Sequence, residues 1–305
     1  MGFQLMQDIR FDRDNRLGYQ GLFRDPNILG SYTVGEIAYS NLPDLSLFAL
    51  RGERRFVTPD IRYGGGLSFL NVERLDTLYA PADDLPVNEI AFNEAEGWLG
   101  YNILINRQTQ AEQRASIIPA MRYRWRDYFN RPIPESDSLL YQNTRLLIGS
   151  LTLARQQYFT DNLLFGFGRT EDIPTGIRLE LIAGYEFGEF ADRPYAAVSL
   201  GLSRNTSLLG YFSTLINVGS FFLNREFDQG LIDVKAQYFS RLLGPNKRIK
   251  QRSLLGIQYT QGVNRRPNEV LRIDNRFGIR GLNSDSLKGQ SVAVVNFKHN
   301  FFTSW

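Results

Sequence analysis

Cysteine is absent from this 305-residue chain, and histidine occurs once, at His299. Those absences remove disulfides, Cys nucleophiles and metal centres built from thiolate and imidazole. A membrane-spanning helix needs about 20 consecutive apolar residues. The nearest candidate, Asn205–Asn224, is uncharged but broken by Ser207, Gly210, Ser213, Thr214, Asn217, Gly219 and Ser220. Basic runs are missing too: 35 Lys and Arg are mixed with 32 Asp and Glu for a formal charge of +3. Nothing there forms an electrostatic footprint for nucleic acid. The start, Met1-Gly2-Phe3-Gln4, lacks the charged, apolar and small-residue segments of an export leader.

What is present is alternation. Apolar and polar side chains trade places along about thirteen stretches, the period of a strand with a different environment on each face. The clearest is Ile177–Phe187: Ile177, Leu179, Leu181, Ala183, Tyr185 and Phe187 share one face, and Arg178, Glu180, Ile182, Gly184 and Glu186 the other. Arg193–Arg204 follows through a tight connection at Phe190-Ala191-Asp192, and Ile232–Phe239 alternates equally well. Further strands are expected at Phe3–Phe11, Ser31–Ser40, Leu45–Phe56, Ile61–Val72, Glu96–Ile105, Ala115–Tyr128, Arg145–Gln157, Leu209–Asn224, Ser253–Gly262 and Ser291–Phe301. Such repetition, with 22 Phe, 15 Tyr and 3 Trp, predicts an all-β fold: a transmembrane antiparallel β-barrel, apolar outside and polar inside. No linker divides the chain, so residues 1–305 are expected to form one barrel domain. On this reading an export leader has been removed before Met1.

Connections sharpen the expectation. Asn41-Leu42-Pro43-Asp44, Thr58-Pro59 and Gly244-Pro245-Asn246-Lys247 read as short turns, while 73–93, 129–141 and 263–288 read as long polar loops. Short turns on one side and long loops on the other suit an outer-membrane barrel. Within 115–128, Arg122, Arg124 and Arg126 share one face opposite Met121, Tyr123 and Trp125. On a soluble sheet they would be a solvated face. In a barrel they form a basic stripe in the lumen, with Glu180 and Asp233 as candidate partners.

The loop before the last strand carries Gly278-Ile279-Arg280-Gly281-Leu282 and then Leu287-Lys288-Gly289. This arrangement resembles the Omp85 superfamily of outer-membrane barrels, which includes the BamA/TamA assembly factors and the exporters of two-partner secretion. Ile279, Arg280 and Gly281 match that family's inward-folded loop tip, while Leu282 replaces the usual aromatic residue. Val294-Val295-Asn296-Phe297-Lys298 resembles the family's next strand, with Lys298 where an acid is common. Residues 165–174 are similar to a segment of D15-type surface antigens. The physical sense of the tip is an anchor: a guanidinium offers five donors in a rigid fork, and Gly281 allows a sharp turn behind it. The resemblance implies a barrel of sixteen strands, of which about twelve or thirteen are expected here, so the chain is expected to be incomplete at its C-terminus and to lack the family's client-binding POTRA repeats. It implies residence in the bacterial outer membrane, with the lipid bilayer, client polypeptides and accessory lipoproteins as partners, and assistance to insertion or translocation of polypeptides without a cofactor.

Sites for covalent chemistry are sparse. His299 falls on the apolar face with Ala293, Val295, Phe297 and Phe301, a position for an interfacial histidine rather than a Ser–His–acid triad. Asp83, Asp84, Glu89, Glu94 and Glu96 could ring a Ca²⁺ ion, but a solvated acidic loop is the simpler reading. Gly64-Gly65-Gly66 lies in a strand and lacks the Gly-Lys-Ser/Thr of a phosphate loop. Glu180 and Glu186 sit beside Arg178, as in a salt-bridged wall. No enzyme, metal or cofactor is expected. The alternatives are a passive porin-like channel with an arginine-lined lumen, a surface antigen or adhesin, and a water-soluble β-sandwich.

Overall fold

Alternating side chains suit extended backbone because successive Cβ atoms point to opposite faces. In a computed structural model of the protein, almost every alternating stretch is a strand. The structure describes residues 2–11, 17–43, 45–56, 60–76, 88–105, 115–131, 141–163, 170–244, 249–266, 269–273 and 288–303. In chain order the strands are β1 (Gln4–Phe11), β2 (Leu17–Asp25), β3 (Thr33–Leu42), β4 (Leu45–Arg54), β5 (Tyr63–Asp76), β6 (Asn88–Tyr101), β7 (Ile103–Ile105), β8 (Ala115–Asn130) and β9 (Thr144–Asn162). They continue as β10 (Thr170–Gly188), β11 (Arg193–Thr206), β12 (Gly210–Leu223), β13 (Glu226–Phe239), β14 (Ile249–Val263), β15 (Leu271–Arg272), β16 (Lys288–Gly289) and β17 (Ser291–Thr303). The one helical piece among the described residues is a 3-10 turn at Ile28–Gly30.

Fifteen strands form one antiparallel sheet in the order β1-β2-β3-β4-β5-β6-β8-β9-β10-β11-β12-β13-β14-β17, with β7 paired to β8 beside that path. Strands β15 and β16 make a separate ribbon. Among the described residues no pairing joins β1 to β17. By internal packing the chain falls into two units. Unit 1 comprises Met1–Ile103, Ile118–Ser150 and Ala183–Pro194; unit 2 comprises Leu104–Ile117, Leu151–Ile182 and Tyr195–Trp305.

In unit 1, β3 and β4 pair from Thr33↔Arg54 to Leu42↔Leu45, with Pro43 in the turn between them. In unit 2, β12 and β13 pair as far as Leu223↔Glu226. The two residues between, Asn224 and Arg225, both have positive φ, 53° and 70°. That is the signature of a primed turn, whose twist matches the flanking strands.

Burial is inverted relative to a water-soluble sheet. Large apolar side chains lie outward, among them Met121 and Leu67 in unit 1 and Val295, Phe297 (69% exposed) and Phe301 in unit 2. Buried instead are charges: Glu186 and Arg193 in unit 1, Asp233 and Arg252 in unit 2. Polar and charged buried side chains are about as numerous as hydrophobic ones. The hydrophobic clusters are small. Val72, Ile90, Phe92 and Tyr141 form one in unit 1, and Ile173, Tyr211 and Phe239 one in unit 2.

Several sequence expectations need correction. Strand β2 was not expected; Gly18, Gly21 and the charges at Arg24 and Asp25 interrupt its alternation of Leu17, Tyr19 and Phe23. Strand β6 begins at Asn88 rather than Glu96 and β5 runs on to Asp76, so the connection between them is shorter than 73–93. Strand β8 runs to Asn130 and β9 begins at Thr144, so the next connection keeps the length of 129–141 but lies two residues later. Polar residues in these extensions belong to strands whose polar face is paired. Within unit 1 the long connections after β5 and β8 stand at the same strand ends as the short β3–β4 turn, so connection length does not sort strictly by side. The strand expected at Leu209–Asn224, the stretch nearest to a spanning helix in composition, is β12. Strands β9 and β10 reach 19 residues each, beyond the roughly 9–11 needed to cross hydrocarbon. The turns expected at Thr58-Pro59 and at 245–247 lie outside the described residues.

Candidate functional site

A charged ladder runs along the polar face of β6 and β8 in unit 1. The register sets Glu94 opposite Arg126 and Glu96 opposite Arg124. Arg126 Nε donates to Glu94 Oε2 at 2.7 Å and its guanidinium lies 5.1 Å from the Phe92 ring centre. Arg122 Nη1 stands 3.4 Å from Glu96 Oε1. Arg124 Nε is buried without an acceptor among the described residues. Of the three arginines read as a basic stripe, Arg126 thus pairs with Glu94 and Arg122 with Glu96, and Arg124 stands opposite Glu96 in the register. Glu180 instead accepts from Arg178 at 2.9 Å, and Asp233 sits 3.4 Å from Lys235. Of the residues read as possible calcium ligands, Glu89, Glu94 and Glu96 are strand residues of β6, with Glu94 and Glu96 engaged by Arg126 and Arg122, while Asp83 and Asp84 lie outside the described residues. No group of three potential metal ligands occurs among the described residues.

Unit 1 carries a second network where β8, β9, β10 and β11 end or begin. Arg131 grips Glu189 with both terminal nitrogens, at 2.6 and 2.8 Å, and Nη1 also donates to the Tyr141 carbonyl at 2.8 Å. The Asn143 backbone N–H donates to Glu189 at 3.2 Å. This bidentate bond from Arg131, with the Asn143 amide, holds the Glu189 carboxyl below the usual glutamate range; in return Glu189 raises the Arg131 guanidinium further. One turn deeper, Arg193 donates through Nε (3.1 Å) and Nη2 to Glu186 Oε1, and Gln142 Nε2 approaches the same oxygen at 3.4 Å. Gly188 N–H bonds to Asp192 at 3.1 Å and closes the tight turn expected at 190–192.

In unit 2 the polar face converges on Asp233. Thr260 Oγ1 donates at 2.8 Å, Gln258 Nε2 at 3.3 Å and Asn217 Nδ2 at 3.5 Å. Arg252, 1% exposed, donates once, from Nη2 to Asp161 Oδ2 at 2.8 Å, and lies 5.7 Å from the Phe239 ring centre. Its Nε and Nη1 have no acceptor among the described residues.

His299 is on the exposed face between Phe297 and Phe301, as its spacing implied. It shares a 2.8 Å hydrogen bond between Nδ1 and Ser253 Oγ. Among the described residues no carboxylate orients the imidazole, so the pair lacks the third member of a nucleophilic triad. The tip residues Ile279, Arg280, Gly281 and Leu282 lie outside the described residues. Around them, β14 and β17 are direct neighbours from Ile249↔Thr303 to Gln261↔Ser291, and β15 pairs with β16 through Leu271↔Gly289 and Arg272↔Lys288. The connection thus joins adjacent strands, and its two ends are tied together at the base.

Sequence reasoning named Glu94 and Glu96 only as possible calcium ligands, not as partners of the arginine stripe, and missed the Arg131–Glu189 clamp and the Arg252–Asp161 pair. Glu94 and Glu96 had a signal: two acids at i, i+2 one strand before three arginines at the same spacing. Asp161 and Arg252 are 91 residues apart and had none. No family model matches the chain, and no curated protein matches it.

Proposed function

We propose that the chain is the membrane-embedded β-barrel of an outer-membrane protein of the Omp85 kind, which helps polypeptides insert into or cross the outer membrane without covalent chemistry. One observation carries the membrane part of the reading: strand after strand exposes large apolar side chains while the opposite face buries ion pairs. Leaving such a side chain in water rather than apolar surroundings costs about 1.5–3 kcal/mol, and soluble monomers rarely show contiguous apolar patches beyond a few hundred Å². Hydrocarbon outside and water inside removes that cost. Closure into a barrel follows from the same argument, since unpaired strand edges in lipid cost several kcal/mol per orphaned group.

The polypeptide-handling part rests on Ile279-Arg280-Gly281-Leu282 in a connection whose ends are held together by β15 and β16. A loop tethered at its base has a fixed reach into a lumen, and Arg280 supplies an anchor for its tip. A porin with an arginine-lined filter is the weaker reading, because Glu94 and Glu96 neutralise Arg126 and Arg122 locally. Reconstitution in planar bilayers tests the choice. A plugged barrel stays mostly shut with brief openings, and Arg280→Ala lengthens those openings and exposes bonds between Val263 and Leu287 to protease. A steady, large conductance that Arg280→Ala leaves unchanged refutes the plug. Recovery of the folded chain from buffer without detergent refutes the membrane reading altogether.

A further inference from the structure

Three features of unit 2 converge on one hollow in its polar face. Burial along β9 changes parity between Ala154 and Gln157, the mark of an inserted residue that bends a strand. Opposite it on β10, Gly176 has φ of 136°, and a Cβ there would overlap the Arg155 carbonyl oxygen. Only glycine permits that approach. Next, β11 and β12 set Ser203 opposite Ser213 and the bare Gly201 opposite Leu215. A methyl group on Gly201 would come 3.7 Å from Arg178 Cβ, so the bare glycine leaves room under the arginine. The result is a concavity of about 380 Å³ bordered by Arg178, Ser203, Ser213, Leu215, Lys235 and Gln237, within the range of small-molecule sites.

Charge is the third feature. No Asp or Glu borders the hollow among the described residues. Arg178 commits one terminal nitrogen to Glu180, and among the described residues no other acceptor takes its remaining donors. Lys235 Nζ lies 3.4 Å from Asp233 Oδ2, while Thr260 and Gln258 donate to the other oxygen, Oδ1. Among the described residues this is the lysine's one ion pair, and it leaves ammonium donors for a ligand. Both cations are about half exposed.

We propose that this hollow binds an oxyanion, a phosphate or carboxylate on a small ligand or side chain. Arg178 and Lys235 supply the counter-charge, and the hydroxyls of Ser203 and Ser213 and the amide of Gln237 donate to the remaining oxygens. The site is independent of the translocation reading and requires only that solutes reach the polar face.

The full chain folded in detergent micelles is titrated with inorganic phosphate, followed by phosphorus NMR line width, and then challenged with an acetylated tetraglutamate peptide. Saturable phosphate binding is expected, weakened about tenfold or more by Arg178→Gln with Lys235→Gln. Arg178→Lys, which keeps the charge, should retain most of the affinity, and Lys298→Gln all of it. Displacement by the peptide identifies carboxylate side chains as a source of the ligand; failure of displacement restricts it to free phosphate-like anions. Non-saturable binding overturns the site. So does unchanged affinity in Lys235→Gln or in the double variant when the circular dichroism spectrum is that of wild type.

Discussion

Arg193 in unit 1 and Arg252 in unit 2 are the two cations buried among the described residues, and they are served very differently. Arg193 meets Glu186 across a tight turn, seven residues away, with two nitrogens on one oxygen and Gln142 beside it. Arg252 meets Asp161 from 91 residues away with one bond, keeps two donors unfilled among the described residues, and rests on the Phe239 ring. Both lost their hydration on folding, an effective penalty of several kcal/mol per ion. A hairpin delivers both partners of a pair together and can surround them with further donors. A pair assembled from distant strands depends on sheet register and is left incomplete. Buried charge in this protein is thus well compensated where it is local.

The largest test of that contrast is Glu186→Ala, which takes the carboxylate away from the buried Arg193. Removing one partner of a buried pair costs about 3–5 kcal/mol, readable as a lower urea midpoint in detergent. A change under about 1 kcal/mol would mean that Arg193 does not need the carboxylate, and the contrast would collapse. Arg252→Met comes next. It deletes one charge-assisted bond but also two orphaned donors, each of which carries a desolvation penalty of about 1–3 kcal/mol. Its net effect is expected within about 1 kcal/mol of wild type, in either direction. A loss as large as that of Glu186→Ala would show that bound water completes the Arg252 site.

What the sequence displayed follows the same line between local and distant. Strands β10, β11 and β13 were legible because Leu179, Leu181, Val198 and Val234 alternate with polar neighbours over several residues. The inverted faces were legible as well, since Arg122, Arg124 and Arg126 could not all sit in a dry core. Strand β2 was hidden because Gly18 and Gly21 carry no side chain to mark a face. The early start of β6 was hidden because Glu89, Asn93, Glu94 and Glu96 look like loop composition until their partners on β8 are known. Ion-pair identity was the least legible. Glu180 and Asp233 were reasonable acids for the arginine stripe by face, yet register gave the stripe to Glu94 and Glu96, and register is not written in alternation.

The smallest effect belongs to the Arg131–Glu189 clamp, which is only partly buried and therefore screened. Its direction is nonetheless fixed. Glu189 has a lowered pKa in the folded protein, so its contribution is full above the ordinary glutamate range and is lost as the pH falls through the folded value. In Arg131→Gln the carboxyl returns toward its ordinary value. The difference in thermal midpoint between wild type and variant should be greatest near neutral pH and should shrink on acidification. Arg131 also donates to the Tyr141 carbonyl and lies 5.4 Å from the Phe190 ring centre, contacts that acid leaves intact. A difference that stays constant into the acid range would therefore assign the role of Arg131 to those contacts, and local charge compensation would then rest on the Glu186–Arg193 pair alone.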